Sequence, residues 1–589
     1  MKPNFLSNFP RLLAVLATAI LAVVSVAAFG KDVKNSAHTV VLTDDGPVKA
    51  FDRPGMRSYF AIPYATPPVG DLRWMPPTPP AKWRQPLTNT HSNPPCLQTS
   101  NSPFKLANGQ EDCLYVDVHA PADKDGPFPV MVWFHGGAFN TGGTVTYSNP
   151  SPLVTKGVIV VTVAYRMGPM GFLGHPVLEA SGTGPAPAGT VGNYGIMDQQ
   201  AALRWVQNNI DAFGGDPDNV TIFGESAGGF SVMTHLASPL SAGLFAKAIV
   251  ESGGYAFDRQ LPKATLESQS TTILNNAINA AVAAGEPNPC PSGVTADCLR
   301  NASVSFIQNR LAPAFNAIQS SPVPSIDGWV LPQSIKATFQ AGLNNKVPIM
   351  NGSNENEWTL FLAIPELNKR VAANNFDLAN LSFLSTSTGA TMTTAIYPAV
   401  LQGQAAASGL TGTQLAAAYP LSAFGNPSSP LSASLGAAAE GTDWIFACPA
   451  LNLSKRAATQ GTPIYMYEFR DQTAIPSIGI DANGNPLVTI PQGAAHSYEI
   501  QYLFQLRDLK NQERADLQQA MSGYWTNFAH TGNPSQGPST VPAVWPAFAG
   551  NGGSDVLGLD VASGGGVAPL STSFDTAHKC SSVFPMLTF

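Results

Sequence analysis

The sequence predicts an α/β protein with a buried, mostly parallel sheet and helices on both faces. Three observations predict it. Short apolar runs rich in β-branched residues recur at 130–134, 158–165, 220–223, 248–251, 347–350 and 464–469. Helix-like stretches fall between them, as strands and helices do in a layered α/β domain. No internal repeat is visible, so the pattern is not that of a solenoid or propeller. The strand-like runs are continuous rather than alternating, which fits strands covered on both faces. The stretch 197–213 spaces Ala201, Leu203, Val206 and Ile210 as one apolar helix face and ends at Gly214-Gly215. Loops rich in Pro and Gly interrupt the pattern at 63–84 and 181–189, and the alanine-rich region 367–439 suits helices inserted into the scaffold.

Composition narrows the function. The chain has 589 residues, 44% hydrophobic and 12% charged, with a net charge of −7. Soluble domains carry about 25% charged residues, and so apolar a chain folds rather than remaining disordered. With no Lys/Arg run, no nucleic-acid partner is expected. Length alone suggests several domains. The chemical signals are strung along the whole chain, however, and favour one catalytic domain over 31–589.

Residues 1–30 differ from the rest. Lys2 and Arg11 precede an apolar run, 12–28, and Ala27, Ala28 and Gly30 supply small residues for cleavage. This describes a secretory signal peptide, with a retained anchor as the alternative. The expectation is a secreted or periplasmic protein with no membrane span after signal removal. In that compartment the six cysteines favour three disulfides among fifteen pairings. The local pairs Cys96–Cys113 and Cys290–Cys298 would close small loops, leaving Cys448–Cys580. No pair has CxxC spacing and no His joins one, so zinc is not expected. Nor does any other metal or cofactor constellation appear.

Two glycine-rich segments carry chemistry. Gly224-Glu225-Ser226-Ala227-Gly228 lies between the apolar run 220–223 and a helix-like stretch. A strand, sharp turn and helix are what a G-x-S-x-G nucleophile elbow requires. The helix N-terminus adds free N–H groups and positive dipole beside a developing anion. Upstream, the strand-like 131–134 runs into His135-Gly136-Gly137-Ala138-Phe139. Such a turn aims backbone N–H groups into a site, as an oxyanion hole needs.

These segments, with Phe60-Ala61-Ile62-Pro63-Tyr64-Ala65, Glu111-Asp112-Cys113-Leu114-Tyr115 and Gly192-Asn193-Tyr194-Gly195-Ile196-Met197-Asp198-Gln199, resemble the type-B carboxylesterase/lipase family of cholinesterase-like α/β-hydrolases. The match covers nearly the whole chain after the signal. The resemblance implies the α/β-hydrolase fold and ester hydrolysis through an acyl-enzyme, with no cofactor and a small-molecule ester as the partner. It implies oxyanion donors at Gly137, Ala138 and Ala227, Ala138 standing where glycine is commonest. It supports the two local disulfide pairs. It makes Glu225 a support to the site, and Arg73 with Glu111 and Arg166 with Asp198 structural ion pairs.

The base must follow the serine in this fold. Of His235, His496, His530 and His578, the first lies just after the elbow, the third ends a helix and the fourth sits beside Cys580. His496 lies in a loop, followed by Glu499 and Phe504 as in the family, and is the expected base. The acid is expected at Glu357, after the strand 347–350 and Gly352, with Glu355 as runner-up and Asp327 read as a turn residue. Asn356 and Trp358 replace the family's usual Asp and Gly on either side of Glu357. Ser252, in Glu251-Ser252-Gly253-Gly254, reads equally as a hydrogen-bond partner near the triad or as a strand-end residue. The leading function is a secreted serine carboxylic-ester hydrolase. The alternatives are a true lipase, with the Cys96–Cys113 loop as lid, and a non-catalytic binding module.

Overall fold

The computed structural model describes residues 40–98, 109–122, 126–182, 184, 186–255, 259–319, 322–550 and 552–587. The expected signal peptide and most of the expected lid loop lie outside these residues. Eleven strands build one sheet. In chain order they are β1 (Phe51–Arg53), β2 (Met56–Pro63), β3 (Tyr115–Pro121), β4 (Phe128–Phe134), β5 (Ile159–Val163), β6 (Gly215–Glu225), β7 (Lys247–Glu251), β8 (Ile349–Asn354), β9 (Ile464–Phe469), β10 (Val556–Leu559) and β11 (Ala568–Pro569). Across the sheet they run β11-β10-β9-β8-β7-β6-β4-β5-β3-β2-β1. Pairing is parallel from β5 through β4 and β6 to β10. It is antiparallel at both edges.

The central strands β4, β5, β7, β8 and β9 are buried at every residue. Helices cover both faces of such a sheet, so its strands carry no polar face. The helices used below are α1 (Tyr194–Asn209), α2 (Ala227–Ala237), α3 (Thr359–Ala373), α4 (Pro430–Thr442), α5 (Cys448–Thr459) and α6 (Gln512–Thr531). None among the described residues is long and apolar enough to cross a membrane.

Element boundaries shift from the sequence reading for local reasons. The run 347–350 gives a strand only from Ile349, because Pro348 has no N–H for the ladder. That strand continues through Asn351, Ser353 and Asn354, polar residues that hide a strand from a hydrophobicity pattern. Asn351 is buried there because its Nδ2 donates to Ala450 O at 2.8 Å and Ser454 Oγ at 2.9 Å. The helix expected over 197–213 starts earlier, at Tyr194, and closes in a 3-10 turn, Ile210–Phe213, before Gly214 at φ 85°.

Covalent and ionic ties bracket the sheet. Disulfides join Cys96–Cys113, Cys290–Cys298 and Cys448–Cys580. Arg166 meets Asp198 through two nitrogens at 2.8 and 2.7 Å, both side chains fully buried. Arg73 meets Glu111 the same way at 2.6 and 2.7 Å, and also donates to the Arg300 and Ala302 carbonyls. Residues 41–589 form one compact unit.

Candidate active site

The site is built where β4, β6, β7 and β8 end. Ser226 follows β6 directly and caps α2 with φ 57° and ψ −122°. A non-glycine residue is held there only when its surroundings over-determine it. Here they do: Ser226 N donates to Glu251 O at 2.9 Å, and Phe230 N returns to Ser226 O at 2.8 Å. Gly228 makes the turn possible by proximity, since a β-carbon there would lie 1.8 Å from Phe134 O. The nucleophile elbow is thus welded to both neighbouring strands.

The glycine loop after β4 abuts this serine. A β-carbon on Gly136 would stand 3.1 Å from Ser226 Cβ and 2.8 Å from a Glu225 carboxylate oxygen. Gly137, Ala138 and Phe139 all have positive φ, at 109°, 54° and 55°. Their curl is closed by Asn140 N and Thr141 N, which both donate to Gly137 O at 3.0 Å. Among the described residues the N–H groups of Gly137, Ala138 and Ala227 carry no hydrogen bond. Successive free N–H groups of this kind form an anion-binding concavity. His135 stays out of the chemistry. It is buried, stacks on Tyr165 at 4.5 Å, and burial lowers its pKa to about 4.

His496 sits in the loop after β9, pinned to the loop that follows β8. Its Nδ1 lies 2.6 Å from Glu357 Oε2. The other oxygen of Glu357 accepts from Ser252 Oγ at 2.5 Å and from Asn354 N at 2.8 Å. Glu357 is fully buried, and three donors hold it in one orientation. The two loops lock together. Asn356 N donates to Ala494 O at 3.0 Å, Ala494 N to Asn356 Oδ1 at 3.1 Å, and Asn354 Nδ2 to Ala495 O at 2.7 Å.

The runner-up acid lies elsewhere. Glu355 turns outward, pairing with Arg470 at 3.1 Å and Gln472 at 2.6 Å. Asp327 accepts from Trp329 N and Leu331 N at 3.0 Å, as a turn residue does. His235 is held inside α2 by Ser241 and Gln199, His530 lies in the last turn of α6, and His578 is clasped by Asp443 and Glu468.

His496 Nε2 completes no hydrogen bond among the described residues and lies 3.1 Å from Glu225 Oε1. Glu225 is buried beside Ser226. Burial, then the charges of Glu357 and Glu251, push its carboxyl well above the usual range. Glu251 is raised to about 8 by burial, although Trp525 donates to it at 2.8 Å. Glu499, also buried and raised, accepts from Asn354 Nδ2 at 2.5 Å.

An aromatic wall flanks the His496 ring, and sequence reasoning missed it. Phe446 and Phe361 lie 4.8 and 5.1 Å from the His496 ring. Trp358 packs on Phe361 at 4.6 Å, and Tyr255 on Phe446 at 5.6 Å. The Ser226 side chain faces the Tyr255 hydroxyl and opposes the rise that burial imposes on that phenol. Phe361 had a signal, standing four residues after Glu357 at the start of a helix. Tyr255 and Phe446 had none, because their partners are distant in sequence.

Comparison with known proteins settles the family. The model of the carboxylesterase family matches residues 37–563. The chain belongs to the carboxylesterase family. The esterase is 33% identical to the para-nitrobenzyl esterase of Bacillus subtilis, over 87% of its own length and 93% of that protein. It is 32% identical to the fumonisin B1 esterase of Sphingopyxis macrogoltabida, over 92% and 90% of the two chains. Liver carboxylesterase 1 of Oryctolagus cuniculus is also 32% identical, covering 88% of each. A solved PNB esterase structure superposes with a TM-score of 0.66 at 30% identity, covering 89% of this chain and 96% of that one. The fold is the α/β-hydrolase fold, and the enzyme is a serine carboxylesterase.

Proposed function

We propose that the chain is an exported carboxylesterase that works through Ser226, His496 and Glu357. Residues 1–30 are its signal peptide and 31–589 its single catalytic domain. The observation that carries the chemistry is an imidazole whose Nδ1 is fixed by Glu357 and whose Nε2 lies 3.1 Å from Glu225, the residue before the strained, over-determined Ser226. His496 Nε2 takes the Ser226 proton as Oγ attacks the ester carbonyl. The N–H groups of Gly137, Ala138 and Ala227 stabilise the oxyanion. Glu357 orients the imidazole and stabilises imidazolium. The alcohol leaves with the proton from His496, which then activates water to release the acid.

The substrate class is an uncharged ester of small to moderate size. The wall of Tyr255, Phe361 and Phe446 supports an apolar group beside the scissile bond. Three disulfides support an oxidising destination. Ser226→Ala should lower kcat for p-nitrophenyl butyrate at least ~10⁴-fold while its melting temperature stays within a few degrees. Full activity in that folded variant overturns the reading.

A further inference from the structure

Glu355, Asn356 and Thr359 of the acid loop, but not Glu357, line a cavity of about 530 Å³. That volume is within the range of small-molecule sites. Phe424, Leu435, Ala439 and Leu570 give it an apolar wall. Its polar side is unusual. His578 is buried between Asp443 Oδ1 and Glu468 Oε1, 2.6 Å from each. Burial alone would lower its pKa, but the two carboxylates raise it to about 10.

Every carboxylate facing the cavity is already committed. Asp443 holds His578 and the Tyr419 hydroxyl, at 2.6 Å each. Glu468 holds His578, and Glu355 holds Arg470 and Gln472. The polar groups with a donor to spare are Lys579, the Arg470 guanidinium and the hydroxyls of Ser571 and Thr572. Lys579 Nζ lies 4.6 Å over the Tyr419 ring, and its charge also acts on Asp443. Arg470 Nε faces Glu468 at 3.3 Å without completing a hydrogen bond. Lys579 holds a left-handed backbone, φ 53°, which a side chain rarely adopts.

A chamber with one apolar wall, whose spare polar groups are an ammonium, a guanidinium N–H and the Ser571 and Thr572 hydroxyls, all able to donate, selects an amphiphilic anion. We propose that this cavity is a second binding site, for a carboxylate with a short hydrocarbon body. That is the class of compound ester hydrolysis releases, so the regulatory part of the proposal rests on the function proposed above. The carboxylate sits between Lys579 and Arg470, and the hydrocarbon lies along Phe424, Leu435 and Leu570. An anion on Arg470 competes with Glu355 for the guanidinium. Glu355 is two residues from Glu357, and its neighbour Asn356 is bonded to the His496 loop. Occupancy therefore loosens the acid loop and slows turnover.

The test uses the full chain and sodium octanoate. Calorimetry is run on enzyme whose Ser226 carries a diethylphosphoryl group, which blocks the catalytic site. Octanoate should bind this enzyme with one site per chain, and 1-octanol at least tenfold more weakly. Lys579→Met should weaken octanoate at least tenfold, and Ala439→Trp, which fills the chamber without touching a charge, should abolish it. In turnover assays octanoate should lower kcat in the parent enzyme and act only on KM in both variants, whose basal kcat/KM is unchanged. Absent binding to the blocked enzyme, or equal binding by parent and Ala439→Trp, overturns the site. Binding with no effect on kcat overturns the regulation. Failure of Ser226 to phosphorylate or to support turnover would instead sink the catalytic reading, and octanoate binding can then be read on the unmodified chain.

Discussion

Ser226 and Glu357 differ in how far their roles can be read from neighbours in sequence. The serine's constraint is local: a tight turn needs small residues beside it, and Gly224 and Gly228 advertise it. The acid's constraint is not, because its base lies 139 residues away. That is why two glutamates in one loop compete on sequence and separate at once in three dimensions, one buried on His496 and one half-buried on Arg470. Glu357→Gln should lower kcat/KM by about 10²–10⁴-fold, whereas Glu355→Gln should stay within about threefold at saturating dilution of product. Activity lost only in the second variant would reverse the assignment. Tyr255 was illegible for the same reason as Phe446: nothing near it in sequence marks its contact with Ser226. Tyr255→Phe should change the ranking of esters by acyl or alcohol group more than it changes the rate of the best one, measured as kcat/KM across a series.

Among the elements, strands buried on both faces were legible as apolar runs, and β8 was half hidden by polar residues such as Asn351, which bonds to α5. The Trp358 substitution illustrates a compensation that no local pattern reveals. A β-carbon on Gly441 of α4 would fall 2.4 Å from Trp358 Cγ, so the large indole after the acid requires glycine on the facing helix. Gly441→Ala should therefore destabilise by about 1–3 kcal/mol through overpacking, seen as a lower urea midpoint. The Arg166–Asp198 tie is more demanding. Both partners are buried, so Arg166→Ala leaves a carboxylate unpaired and should cost about 3–5 kcal/mol in denaturant unfolding. An unchanged midpoint would show that the charge finds another partner.

Two buried groups, His578 and Glu251, lower stability on the alkaline side, while Lys247, whose pKa burial lowers to about 8, works against them there. The pKa of His578 is raised to about 10, so its stabilisation is complete below about 6.5 and is lost as pH rises through about 10. Glu251 is raised from 4.5 to about 8, so the unfolded chain ionises first and stability falls as pH rises between those values. The melting temperature should therefore decline from pH 6 to pH 8. Glu251→Gln, which keeps an acceptor for Trp525, should raise it at pH 9 and leave it unchanged near pH 4.5. A parallel offset at both pH values would exclude that titration.

The order of strands across the sheet also fixes a timetable. β4, β5, β6 and β7 sit side by side and are complete by residue 251, with the elbow and glycine loop among them. The acid and base arrive about a hundred and more than two hundred residues later, on strands added at one side. A chain emerging from the ribosome thus holds a formed nucleophile elbow with no proton acceptor for about two fifths of its synthesis, and gains its chemistry only after residue 496 is made.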